Sequence, residues 1–403
     1  MKPYSAAAAT AVFFLCFLAW QGIQANDSRI FWVAENRAPA DFDGDGAIGF
    51  SDYLMFVTGF NTRAGEAGFS AQLDLNGDGR IDFEDFLAFV AVYGGNGSVP
   101  SVRTGYAVYV ADIYESAVVV FDFDSHLQID YLPFRIPIGV SISVDQNTIY
   151  VSDAFGLFAL DTDHKVVFSV PTNSEGRFVL SPDERFAYVT EERNDLLRVV
   201  DLQAQATVDT IQVGDLPSDI DITPDGGLLC VTNLYSQDIS IVDLARREVI
   251  GRIELGASPG ELEIAPDGRR AYVAAQNHGS VSVLDLASKR LVGDIQLDGE
   301  RTYGLAFSPD GKTLYVSSEG MLVAIDPERN LILRTLKVGD DSASLGISPD
   351  GSRTYVATML VQGGGSGVTA VDLVNWRVMG RIRGISYPGD ISFRKVISRQ
   401  GTE

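Results

Sequence analysis

Cysteine is almost missing from this chain: 403 residues contain two, Cys16 and Cys230. Cys16 lies in an apolar stretch near the start, so removal of that stretch would leave Cys230 alone and exclude an intramolecular disulfide. Cys230 stands where sister repeats carry Tyr, and it reads as a small buried residue. Histidine is nearly as rare. His126, His164 and His278 fall after or between outer strands and read as solvated surface residues, which leaves little imidazole for acid–base or metal chemistry. A haem attachment motif, a nucleophile elbow and a cysteine nucleophile in a suitable setting are all missing. Positive charge is short too, with 31 Lys and Arg against 54 Asp and Glu and a net charge of -23. That balance opposes nucleic acid and anionic membrane surfaces as partners, and it favours cations.

Only one long apolar run occurs, from Ala7 to Trp20, after the weakly basic start at Lys2. It is short for a bilayer span and reads as a secretory signal covering residues 1–25, cleaved after Gly22 or Ala25, with an uncleaved anchor as the alternative. The chain is therefore expected to be secreted or extracytoplasmic, with no membrane span once the signal is removed.

Two acidic blocks follow, and they superpose residue for residue. Asp41-Phe42-Asp43-Gly44-Asp45-Gly46-Ala47-Ile48-Gly49-Phe50-Ser51-Asp52 is the first, and Asp74-Leu75-Asn76-Gly77-Asp78-Gly79-Arg80-Ile81-Asp82-Phe83-Glu84-Asp85 is the second. A hard cation such as calcium takes oxygens from positions one, three, five, seven and twelve of such a loop, position seven through its backbone carbonyl. The first loop offers Asp41, Asp43, Asp45, the carbonyl of Ala47, and Asp52. The second offers Asp74, Asn76, Asp78, the carbonyl of Arg80, and Asp85, with Asp82 at position nine making it the better formed site. Two calcium ions are expected. Gly46 and Gly79 permit the sharp turn, and Ile48 and Ile81 are placed to pair the loops through a short strand. Each loop leads into an apolar helical stripe.

This region, residues 40–94, resembles the dockerin family, whose duplicated calcium loops each lead into one helix. The resemblance implies calcium-dependent docking onto a cohesin domain, often in assemblies that degrade polysaccharides. Phe50-Ser51 and Phe83-Glu84 depart from the paired hydroxyl residues that the family uses to recognise its partner. Calcium binding therefore carries over better than cohesin binding. Residues 95–104, beginning Gly95-Asn96-Gly97-Ser98, have the composition of a flexible linker.

The remainder repeats one phrase at a spacing of roughly forty residues, the mark of a radial repeat. An apolar strand is followed by a turn, Pro-Asp-Gly in the clearest copies, and then by Tyr-Val or its equivalent at Tyr109, Tyr150, Tyr188, Cys230, Tyr272, Tyr315 and Tyr355. Each copy then carries an apolar-Asp pair and an alternating strand, which fits four antiparallel strands per unit. Residues 105–394 thus read as a mainly β, seven-bladed propeller beside a small helical calcium domain. The innermost strand at Asp390 to Arg394 comes last and should complete the first blade. Tyr188-Val189-Thr190, Cys230-Val231-Thr232-Asn233 and Ser308-Pro309-Asp310-Gly311 resemble the YVTN family of propellers. That family implies an extracytoplasmic propeller and no single activity.

The recurring Asp residues are assigned to turns, because they appear in most blades. The irregular positions are the candidates for function. Placing the inner strands in register puts Asp219 and Asp221 beside Glu261 and Glu263, with Asp390 and Arg177 on other strands of the same channel. Four carboxylates on adjacent strands repel unless they are solvated, protonated or neutralised by a cation. The expected role is that of an exported interaction protein, with a calcium module for attachment and a rigid propeller face for a protein or glycan. A propeller hydrolase or lactonase that uses the channel acids with a metal is the alternative reading.

Overall fold

A computed structural model describes residues 105–172, 176–299, 301–359, 366–383 and 385–396 of one compact unit. Of another unit it describes residues 42, 50–60, 62–66, 68–70, 73, 74, 80, 81, 85 and 89. The signal stretch and the linker lie outside the described residues.

The first unit has a small aromatic core of its own. Helix α1, Phe50–Gly59, starts two residues before Asp52 and buries Phe56 against Leu73, Ile81 and Phe89. The rings of Phe42, Phe56 and Phe89 stack, Phe56 and Phe89 at 5.3 Å between centroids. Strand β1, Thr62–Arg63, pairs with β2, Arg80–Ile81. Ile81 pairs with Thr62 in the segment that follows α1. The expected pairing of Ile81 with Ile48 falls outside the described residues, since Ile48 is among those not described.

The second unit is a ring of seven four-stranded antiparallel sheets. Each blade follows the phrase read in the sequence. In the fourth, the inner strand Pro217–Ile222 turns at Asp225-Gly226 into Leu228–Asn233, and Asp238–Asp243 and Glu248–Glu254 follow outward. Gly226 has a φ of +70°, a left-handed conformation that glycine adopts without a Cβ penalty. Asp225 accepts the Thr223 hydroxyl at 2.6 Å and the Gly227 N–H at 2.9 Å, so the Asp of the phrase is a turn residue. Asp201, Asp243, Asp285 and Asp372 of the apolar-Asp pairs likewise accept backbone N–H groups within their own turns.

One register is repeated in all seven blades. Ser392 faces Tyr109, Ser141 faces Tyr150, Val179 faces Tyr188, Asp221 faces Cys230, Glu263 faces Tyr272, Ala306 faces Tyr315, and Gly346 faces Tyr355. The ring closes through the final strand. Pro388–Val396 becomes the inner strand of the first blade by pairing with Gly105–Asp112, which leaves no free sheet edge at the seam.

The tyrosines do more than fill cores, for three of them reach the next blade round the ring. Tyr272 donates its hydroxyl to the Pro327 carbonyl at 2.9 Å, and Tyr355 donates to the Phe123 carbonyl at 3.1 Å. Tyr109 shares a hydrogen bond of 2.9 Å with His164 Nε2, and Tyr355 shares one of 3.1 Å with His126 Nε2. His126 and His164 are therefore half-buried between blades, where the sequence had suggested solvated positions. Both occupy left-handed turn positions, φ 58° and 61°, which aim their rings at the neighbouring tyrosine. His278 is exposed, as expected.

Candidate functional site

The inner strands line a channel of about 430 Å³ whose wall includes Arg177, Asp219, Asp221, Glu261, Glu263 and Asp390. All six sequence-derived channel residues thus meet in one cavity. They form two layers. Arg177, Asp219, Glu261 and Asp390 share the upper one, and Asp221 and Glu263 stand two residues further along their strands.

Arg177 resolves the repulsion in the upper layer. Its guanidinium donates to Glu261 Oε1 at 2.7 Å, two blades away, and lies 3.6 Å from Asp219 Oδ1. Burial works against the charge of Arg177, but Glu261, Asp219 and Asp390 outweigh it and hold the group above its ordinary pKa. The carboxylates have the converse problem. Burial raises Asp219 to about 7 although Arg177 opposes the rise, and it raises Asp221 to about 6. Glu261 is raised by burial against the pull of Arg177. Glu263 is held well above the usual carboxylate range by burial and by Asp221 beside it. A cation thus offsets the upper layer, while in the lower layer burial raises both carboxyls.

A further feature of these carboxylates left no trace in the sequence. Each reaches sideways to the backbone of the next blade. Leu262 N–H donates to Asp219 Oδ2 at 2.7 Å, Ile264 N–H to Asp221 Oδ2 at 2.7 Å, and Leu305 N–H to Glu261 Oε2 at 3.3 Å. Glu263 accepts the Phe307 N–H, and Asp390 accepts the Val140 N–H at 3.2 Å. Inner strands pair on one side only, so their outer N–H groups need acceptors, and the neighbouring carboxylates provide them. Among the described residues, no group of three or more His, Cys, Asp or Glu is arranged to hold a metal ion. Cys230 is buried under Asp221, and burial pushes its thiol up, out of the reactive range.

The calcium loops are described at four of their expected ligands, Asp52, Asp74, Arg80 and Asp85. Asp41, Asp43, Asp45, Ala47, Asn76, Asp78 and Asp82 lie outside the described residues. Asp52 and Asp85, both at position twelve, are fully buried, and Asp52 accepts the Phe42 N–H at 2.6 Å. That contact joins the two ends of the first loop. Two carboxylates held at the edge of an aromatic core suit a hard cation, because a buried negative charge needs compensation.

Comparison with known proteins separates the two units. Residues 39–90 match the dockerin type I domain. Dockerin type I domains bind calcium and mediate interaction with cohesins, and the match falls within the first unit. No curated protein matches the chain in sequence. Among solved structures, hydrazine synthase from Kuenenia stuttgartiensis is 22% identical with a TM-score of 0.56, over 64% of this chain and 89% of that one. A functionally unknown protein from Desulfotomaculum acetoxidans DSM 771 is 16% identical with a TM-score of 0.63, over 72% of this chain and 99% of that one. At these identities the likeness is one of fold. No helix among the described residues is long and apolar enough to cross a membrane.

Proposed function

We propose that this protein is an exported adaptor: the dockerin domain attaches it to a cohesin-like or other envelope partner in a calcium-dependent way, and the propeller presents a rigid face to a second protein or a glycan. The observation that carries this reading is the pairing of a dockerin match with a separate, fully closed propeller in one chain. The stretch before residue 26 serves as the export signal, and an association with polysaccharide utilisation follows from the company dockerins keep. Asp41, Asp43, Asp45, the Ala47 carbonyl and Asp52 would hold one ion. Asp74, Asn76, Asp78, the Arg80 carbonyl, Asp82 and Asp85 would hold another. Calcium supplies the positive charge that lets these oxygens converge.

The enzymatic alternative rests on the channel carboxylates, whose raised pKa values are of the kind found in acid–base sites. Their engagement with backbone N–H groups of the next blade supports a framework role, and the adaptor reading is preferred on that account. Calorimetric titration of the full chain with calcium, followed by binding to an immobilised type I cohesin in calcium and in chelator, tests the reading. Two binding events and retention only with calcium are expected. Absence of calcium heat, or attachment unaffected by chelator, would overturn it.

A further inference from the structure

The two ends of the propeller differ in one respect. Every exposed aromatic side chain among the described propeller residues, Tyr114, Tyr131, Phe155 and Tyr235, sits at the end where second strands turn into third strands. Tyr114 and Tyr235 are 73% and 74% exposed, values at which a ring contributes nothing to its own blade's core. The opposite end, made of the Pro-Asp-Gly and apolar-Asp turns, exposes none.

The loops that carry Tyr114 and Tyr235 are tied down through their backbone. Asp112, wholly buried, accepts N–H groups from Tyr114 and Glu115 on one loop and from Ser386 and Tyr387 on another. Tyr114 and Tyr387 are thereby brought to 4.9 Å between ring centroids. Tyr235 is fixed through its N–H to the Asp215 carbonyl at 3.1 Å. Rigid loops that display aromatic rings lose little entropy when those rings are covered.

Carboxylates stand among these loops. Glu115, Asp215 and Asp340 are exposed at this end. Of the arginines at this end, Arg301 lies 3.3 Å from Asp341 and Arg135 lies over the Phe155 ring at 4.8 Å, while Arg193 and Arg383 are exposed. Arg301 also lies over the Tyr303 ring at 5.8 Å, so the face twice shows a guanidinium resting on an aromatic ring. An aromatic face beside a carboxylate is the arrangement that attracts a cationic side chain.

We propose that this end of the propeller is a docking face for a Lys- and Arg-rich segment of a partner protein, whose cationic side chains stack on Tyr114 and Tyr235 among the surrounding carboxylates. The assignment rests on the adaptor reading above and names the partner's chemistry at the propeller. Other parts of an acidic protein also attract basic peptides, so the test turns on the rings.

The full chain in calcium is titrated with a fluorescein-labelled peptide of alternating Lys, Arg and Gly near physiological salt. Replacing Tyr114 and Tyr235 together by Ala should weaken binding at least tenfold while the melting temperature moves little, since both rings are largely exposed and Tyr114 touches only the Tyr387 ring. Replacing both by Phe, which keeps the ring face, should leave binding as it was. Equal affinity of the Ala variant and the parent would overturn the proposal. So would a neutral glucan that binds the parent and loses affinity in the Ala variant while the peptide does not bind. Cohesin attachment, measured on the same variants, reports on the adaptor reading separately and should be unchanged by either pair of substitutions.

Discussion

Removing the positive charge of Arg177 should destabilise the propeller strongly above neutral pH and weakly below it. Arg177 is the cation of the upper channel layer, with contacts of 2.7 Å to Glu261 and 3.6 Å to Asp219. At an effective dielectric constant of about 20, Coulomb's law gives roughly 6 and 5 kcal/mol for these contacts. Burial of the guanidinium offsets much of that, and loss of one partner from a buried pair costs about 3–5 kcal/mol. In Arg177→Met the carboxylates are left to repel one another or to hold protons against the solvent. At pH 8 either outcome is expensive. At pH 5 Asp219 is already protonated, given its position at about 7, and the arginine has less charge to neutralise. Scanning calorimetry of the propeller transition should therefore show a fall of roughly 5–10 °C at pH 8 and a clearly smaller one at pH 5. Equal falls at the two pH values would refute the argument that the arginine acts through charge.

The parent protein should itself gain stability as pH drops. Carboxyls whose folded pKa lies above the unfolded value stabilise fully below the unfolded value, and that contribution is lost as pH rises through the folded value; for Asp219 and Asp221 the window runs from about 4 to about 7. Denaturant midpoints measured across that range should decline with pH, and a rise would count against the raised values. Chelation should abolish the secondary structure of residues 39–90 while the propeller melts as before; joint melting would argue against two independent units. Replacing Asp52 and Asp85 by Asn should have the same effect as chelator at limiting calcium, read by isothermal titration. Gly304→Ala would place a Cβ 2.7 Å from the Ala343 carbonyl oxygen and should cost about 1–3 kcal/mol by forcing neighbouring inner strands apart, measurable as a lowered midpoint.

Much of the fold was legible because one phrase fixes both a turn and a register. Once Tyr109 and its counterparts were aligned, the inner strands fell into register with one another, down to the strand that closes the ring at its seam. The positions of Asp219, Asp221, Glu261 and Glu263 came from that same alignment. Their partners did not, because the acceptor on one strand meets a backbone N–H of a neighbouring blade, and backbone groups carry no sequence signal. The histidines failed for a related reason. His126 and His164 stand in turns, where polarity suggests solvent, but a left-handed backbone redirects each ring onto a tyrosine of another blade. Arg177 was placed in the channel correctly, while its reach past one blade to Glu261 depends on side-chain length and ring curvature.

Closure through the last strand also decides where the chain enters and leaves the propeller. Gly105, where the first blade begins, is paired with Val396, near the end of the chain. Both lie at the end opposite Tyr114 and Tyr235, since Gly105–Asp112 runs from there towards the tyrosine loop. The chain therefore enters and leaves the ring on the side of the Pro-Asp-Gly turns, away from the aromatic loops.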